Sequence, residues 1–520
     1  MTMRKRFSAG ARALATVVAG LLTACGGGGA DAPRPASAPV RGTLSQLPPQ
    51  LVLALPATEL LLQLGAATDP SLLPITGTPV CDIGVYHIEY HTVGGRNEAT
   101  TASGALMVPS GSDARCRGAR PIVLYAHGTV TTQAFDIANL QDPANAEGLL
   151  LAAVFASRGF IVVAPNYTGY DTSTLGYHPY LVADAQSKDM IDALSAARQA
   201  LPLAGLLVTR DSGQVYLSGY SQGGYVAMAT ERALQAAGTP VTAAAPLSGP
   251  YALAGMLDAV FSGQVDSGAP VFMNLLVSAY QRVYGNVYAI PGEFYSPQYL
   301  NGIETLLPGS LARSELYAQD RLPQYALFSA TPPDPAYAAI TPATQPAALA
   351  TIFAQGFGSG NLVTNGYRQA YLLDLAAHPD GGWPTFVNGQ PAAAAALPLR
   401  RALVTNDLRN WAPSAPTLVC GGHDDPVVFW LNAQLLQAYW AARQPAVSTA
   451  TFLDIDTAAA SADPYAALKA DFAVARLAVA VAAVAQGASD GGQQAVFDAY
   501  HASLVAPFCL AAARDFFANH

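Results

Sequence analysis

QVYLSGYSQGGYVAMATERA, residues 214–233, changes its period in the middle. From Gln214 to Tyr220 it is rich in Val, Tyr and Leu, as a buried strand is. From Gln222 onward Ala, Met and Glu recur at helical spacing. Ser221 stands at the joint, with Gly219 and Gly223 two residues away on either side. A sharp turn between strand and helix would lift the serine hydroxyl clear of the backbone, and flanking glycines permit the crowding such a turn creates. The pentapeptide alone is a weak signal in a chain with 46 glycines, so its setting has to decide.

Strand-like runs surround it: GVYHIEYHTV (84–93), TASGALMVP (101–109), PIVLYAH (121–127), GFIVVAP (159–165) and VTAAAPL (241–247). Helical segments, EGLLLAAVFASRG (147–159) and LVADAQSKDMIDALSAARQAL (181–201), separate the later ones. Apolar strands alternating with helices predict an α/β fold, with a mostly parallel sheet covered on both faces. Two further strands, PTLVC (416–420) and TATFLDID (449–456), come much later and bring the expected total to about eight. The intervening stretch, 251–410, reads as amphipathic helices such as ALAGMLDAVFSG (252–263), FMNLLVSAYQRVYG (272–285), AALATIFAQGF (347–357) and YRQAYLLDLAAH (367–378), joined by Pro-rich loops. Placed between two strands of one sheet, it predicts a helical cap over the edge where those strands end. The expected division is 49–250 for the first part of the core, 251–410 for the cap and 411–520 for the second part. No internal repeat is evident.

The 520 residues are 51% apolar and only 12% charged, with net charge −9. Without a basic run beyond the extreme N-terminus, a nucleic-acid partner would lack its electrostatic footing. That N-terminus has Arg4, Lys5 and Arg6, then ALATVVAGLL, then Leu22-Thr23-Ala24-Cys25. This is the layout of a secretory signal (1–24), and the last four residues resemble the lipobox of bacterial lipoproteins, in which the cysteine is acylated. GGGGADAPRPASAP follows, and residues 25–48 read as a flexible tether off a membrane surface. The apolar segment LKADFAVARLAVAVAAVAQ (468–486) is interrupted by Lys469, Asp471 and Arg476 and reads as a packed helix. Export favours disulfides among Cys81, Cys116, Cys420 and Cys509. Three pairings are open to four cysteines. The expected one is Cys81 with Cys116 and Cys420 with Cys509, the second because both flank the residues assigned to catalysis below.

A serine nucleophile needs a base within hydrogen-bond reach and a third group to orient that base. LYAHGT (124–129), GFIVVAPNYTGYD (159–171), GYHPYL (176–181), GYSQGG (219–224), CGGHDDPVV (420–428) and DAYHASLVAPFC (498–509) together resemble segments of the secretory lipase family, within the α/β-hydrolase fold. The resemblance covers most of 80–250 and 400–510 and is loose in the cap. Asn166 in APNYTGY departs from the more usual acid there. In such folds the triad runs Ser, acid, His. Asp425 matches the family's spacing best, with Asp424 as the alternative. His501 is the expected base, because His520 is terminal, His423 adjoins the acid and His127 belongs to the His-Gly turn. The fold implies an oxyanion hole from the backbone N–H groups of Gln222 and Thr129. A zinc pair of His87 and His91 is excluded, since i, i+4 residues on a strand lie about 13 Å apart. His423-Asp424-Asp425 would need three neighbouring side chains to converge on one ion. Neither a metal nor a cofactor is therefore expected.

The sequence predicts a lipid-anchored serine ester hydrolase of lipase or esterase type, acting on acyl or aromatic esters and exported to a bacterial membrane or beyond. An acyltransferase or a serine peptidase on the same triad, and a non-catalytic binding module on the same fold, are the alternatives.

Overall fold

Nine strands form a single sheet in the order β1-β2-β3-β5-β4-β6-β7-β8-β9. They are β1 (Gln50–Leu55), β2 (Asp82–Val93), β3 (Ala99–Ser110), β4 (Gly118–Ala126), β5 (Ile161–Pro165), β6 (Thr209–Tyr220), β7 (Ala243–Leu247), β8 (Thr417–Gly421) and β9 (Ala450–Asp454). The computed structural model describes residues 39–66, 75–143, 145–204, 208–385, 389–443, 450–460 and 462–520. The first three strands pair antiparallel with one another, and β3 pairs antiparallel with β5. From β5 to β9 every pairing is parallel.

The eight strands read from the sequence are all present, and β1 is an addition to them. QLVLAL lies exposed along most of its length at the edge of the sheet, so neither burial nor alternation marks it as a strand. By contrast β5, β7 and β8 are buried at all five positions, which is why their sequences are nearly continuous in apolar or small residues.

Side chains of the central strands alternate between two cores. Leu124, Val163 and Leu217 face one, packed under the helices Ala183–Ala200 and Gln222–Ala236. Val123, Val162 and Tyr216 face the other, against the helices Ala146–Val154 and Ala506–Phe517. Each such buried aliphatic side chain stabilises the fold by roughly 1.5–3 kcal/mol relative to exposure.

The stretch from 251 to 410 is helical as expected, with Leu253–Phe261, Ala269–Tyr284, Asn365–Ala377 and Pro398–Asn406 as its longer elements. Its Leu253, Leu276, Tyr371 and Leu399 join the same core as the sheet face. It therefore has no separate interior, and residues 39–520 form one compact unit. Buried arginines pin it internally. Arg400 pairs with Asp258 and Asp374, each at 2.9 Å, and Arg409 donates to Asp380 at 2.6 Å and to Asp407 at 2.9 Å. Losing one partner of such a pair would leave an uncompensated buried charge.

One expectation needs correction. Residues 39–48, assigned to the tether, instead run along β2: Gly42 N donates to His91 O, Ser45 N to Glu89 O, and Arg41 pairs with Asp192 at 2.9 Å. Backbone pairing to the end of β2 beyond β1 orders the segment despite its composition. The helix Ala466–Ala485 packs by one face, as read, with Phe472 buried against Tyr500 and Phe508 and Leu468, Val479 and Ala480 beside it, while Val474, Leu477 and Val481 on the other face are exposed. Among the described residues one helical run, Gln493–Phe517, is long and apolar enough to cross a membrane, yet most of it is buried within the protein. Cys25, the signal segment and the first part of the tether lie outside the described residues.

Candidate active site

Ser221 joins β6 to the helix Gln222–Ala236 with φ 60° and ψ −122°, a backbone conformation that L residues rarely adopt. The turn is clamped by Ser221 N donating to Leu247 O at 3.0 Å and Tyr225 N donating to Ser221 O at 3.3 Å. The glycines are required by close approach. A Cβ on Gly223 would lie 1.9 Å from Ala126 O at the end of β4, and one on Gly219 would lie 2.3 Å from Gly223 O. Only glycine lets the turn sit this tightly against the neighbouring strand.

After β8 the chain turns through Gly422 to Asp425, whose side chain is fully buried. Its Oδ2 lies 2.7 Å from Nδ1 of His501, and its Oδ1 accepts from Val427 N at 2.9 Å and Val428 N at 3.1 Å. Asp424 turns away, pairing with Arg476 at 3.0 Å. His423 also points elsewhere, to Asp454 at 3.0 Å.

His501 belongs to a π-helical turn, Tyr500–Val505, which interrupts the helical run there. Tyr220, the residue before Ser221, packs its ring 4.9 Å from the imidazole and donates its hydroxyl to the His501 carbonyl. Donation from Nδ1 to Asp425 leaves Nε2 with its lone pair, and this atom is buried with no hydrogen-bond partner. No hydrogen bond joins it to Ser221. The disulfide between Cys420 and Cys509 ties the end of β8 to the helix that follows His501, and Cys81 is bonded to Cys116, the pairing expected.

The His127-Gly128-Thr129 turn passes beside the elbow, close enough that a Cβ on Gly128 would contact the Ser221 Cβ at 4.0 Å. Neither Thr129 N nor Gln222 N meets an acceptor among the described residues, so both N–H groups remain available. Two residues the sequence did not single out hold this region. Glu147, half-buried at the start of the helix Ala146–Val154, accepts from Gly128 N at 3.0 Å and from the Tyr125 hydroxyl at 2.7 Å, while desolvation pushes its carboxyl pKa up. His178 Nδ1 donates to Thr168 O at 2.9 Å, and its Nε2 accepts from Gln222 Nε2 at 2.8 Å. Burial brings the pKa of His178 down to about 3, so the ring is neutral and can accept. No spacing rule finds these two, because their partners are 19 and 44 residues away.

Burial brings the pKa of His127 down to about 4; its ring nitrogens face the carbonyls of Gly128 and Asn166, and its ring stacks on Tyr167 at 4.2 Å. Asn166 also has a structural place: Oδ1 accepts from Ile137 N at 2.8 Å and Nδ2 donates to the Ser103 hydroxyl at 2.9 Å. A carboxylate in its place would lack the donor.

Ser221, Thr129 and Gln222 open onto a narrow cavity of about 60 Å³. Its other walls are mostly apolar side chains of the cap, among them Leu253, Met256, Val260, Phe272 and Leu276, with Tyr180 and Asp266 as the polar exceptions. The first two cap helices therefore roof the site.

Among the described residues two side-chain groups have the donor atoms for a cation. In His87, Asp136 and Asp171, His87 and the Ser103 hydroxyl already bond to Asp171 at 2.8 and 2.6 Å. In His423, Asp424 and Asp456, Arg476 already supplies the positive charge. Neither group includes a residue of the Ser221 cavity.

Comparison with solved structures places the chain among hydrolases. It superposes on the rice cell wall degrading esterase LipA from Xanthomonas oryzae with TM-score 0.64 and 25% identity, over 92% of this chain and 99% of that one. A ligand-bound form of the same esterase matches at TM-score 0.61 and 26% identity, over 84% and 97%. A hydrolase-like protein from Legionella pneumophila shares the fold at TM-score 0.60 and 19% identity, over 91% and 96%. No family model and no curated protein sequence matches the chain. The nine-stranded sheet, the elbow and these neighbours define the α/β-hydrolase fold.

Proposed function

We propose that the protein is a serine carboxylic ester hydrolase that works through an acyl-enzyme on Ser221. The observation that carries this is the bond from His501 Nδ1 to Asp425, made against the elbow and leaving Nε2 buried and unpaired. His501 Nε2 takes the proton as Ser221 Oγ attacks the ester carbonyl. Asp425 holds the tautomer and stabilises the imidazolium that forms. Oxyanion charge is met by the N–H groups of Thr129 and Gln222, aided by the positive end of the helix beginning at Gln222. The alkoxide leaves with the proton from His501, and water, deprotonated by the same imidazole, releases the acid.

An apolar cavity wall favours acyl or aryl esters over highly charged substrates. The Xanthomonas neighbour, an esterase that degrades rice cell walls, makes esters of polymeric or plant-derived material a reasonable panel to assay. Two disulfides suit an oxidising compartment, and acylation of Cys25 would tether the exported protein to a membrane. Expression of the body from about residue 30 and assay of an ester panel against Ser221→Ala tests the mechanism. The variant is expected to lose about 10⁴ or more in kcat with its fold intact. Retained turnover would remove Ser221 from the reaction.

A further inference from the structure

Among the polar groups lining the Ser221 cavity, Asp266 has no use in the chemistry proposed above. It is 8% exposed and sits where the cap meets the loop carrying the acid, with Ser267 N donating to Pro426 O at 2.8 Å. Among the described residues its carboxyl makes no ion pair, and the backbone N–H of the same residue is the hydrogen-bonding group that faces it. It does not cap the following helix, Ala269–Tyr284, which has no side-chain cap bond. The charged group nearest it electrostatically is Asp425, a like charge, and burial pushes its pKa up to about 8. A carboxyl kept neutral this way both donates and accepts a hydrogen bond. With only its own backbone N–H facing it, this carboxyl keeps hydrogen-bonding capacity that a ligand in the cavity could use.

We propose that Asp266 is a substrate-recognition residue: the cavity takes an ester whose mostly apolar acyl group carries a hydroxyl, and that hydroxyl pairs with the Asp266 side chain. The acyl group is the part concerned because the cavity opens directly from Ser221 and the oxyanion donors, where the acyl chain stays attached after the alcohol has left. Leu253, Met256, Val260 and Phe272 would cover its apolar remainder. A site that bonds a hydroxyl discriminates against the analogue lacking it far more than an apolar wall discriminates by size.

The proposal rests on the ester hydrolase reading, and a ratio of rates separates the two. Matched p-nitrophenyl esters of short hydroxyalkanoic acids and their deoxy counterparts are compared by kcat/KM for the wild type, Asp266→Asn and Asp266→Leu. The wild type is expected to favour one hydroxy position by at least about tenfold. Asp266→Asn, which keeps a donor and an acceptor, should retain that preference. Asp266→Leu should abolish it, with the deoxy ester hydrolysed at least as well as before. Equal preference in the wild type and Asp266→Leu, or none in the wild type, overturns the assignment while leaving the hydrolase reading intact. Absence of turnover on every ester in the folded wild type would overturn both. Melting temperatures confirm folding, and should the Leu variant fail to fold, Asp266→Ala takes its place with the same loss of preference expected.

Discussion

Asp425, not its neighbour Asp424, faces His501: the Oδ2 to Nδ1 distance is 2.7 Å, while Asp424 is held by Arg476 on the far side of the turn. Asp425→Asn should therefore lower kcat by about 10³ to 10⁴, because an amide favours the wrong imidazole tautomer. Asp424→Asn should stay within a few-fold of wild type. Steady-state kinetics on one activated ester decide it, and the reverse pattern would reassign the acid.

Glu147 acts through the Gly128 N–H and does not line the cavity. Glu147→Ala should let the turn before Thr129 move, lowering kcat by roughly 10 to 10² with little change in KM, since one oxyanion donor is worth about 10² to 10³. Glu147→Gln keeps an acceptor for that N–H and should restore most of the rate. A loss that Gln does not rescue would make the role electrostatic instead.

Cys420 and Cys509 enclose a long loop, with a sequence separation of 89. Replacing both with Ser should cost about 2–5 kcal/mol of stability. Activity at 25 °C should survive where folding does, but be lost at a lower temperature than in wild type. Thermal inactivation curves with and without reductant provide the check. Coincident curves would mean that the bridge does not brace the acid and base segments.

Glu231, on the helix behind Ser221, bonds Thr417 at 3.0 Å through one oxygen and leaves the other buried without a partner. Burial pushes its pKa up to about 8. The folded state then keeps a proton that the unfolded chain has already released. The contribution of this group to stability is full below the unfolded carboxyl pKa of about 4.3 and is lost as pH rises towards 8. The slope from one such group is at most about 1.4 kcal/mol per pH unit. Glu231→Gln should gain over wild type in melting temperature from pH 5 to pH 8. A constant difference across that range would contradict the assignment.

The succession of strands along the chain, the elbow at Ser221 and the helical nature of 251–410 follow from local sequence, since strand and helix periods and a glycine-flanked turn are properties of neighbouring residues. The resemblance supplied the acid and the base, which no local rule joins. Asp425 and Asp424 are adjacent and chemically alike, and only the direction of the turn after β8 separates them. Glu147 reaching Gly128, His178 reaching Gln222 and Asp266 entering the cavity are contacts made across layers of the fold, where burial changes what each group can do. The edge strand β1 and the residues packed along β2 were hidden for the converse reason: their pairing partner, not their composition, makes them ordered.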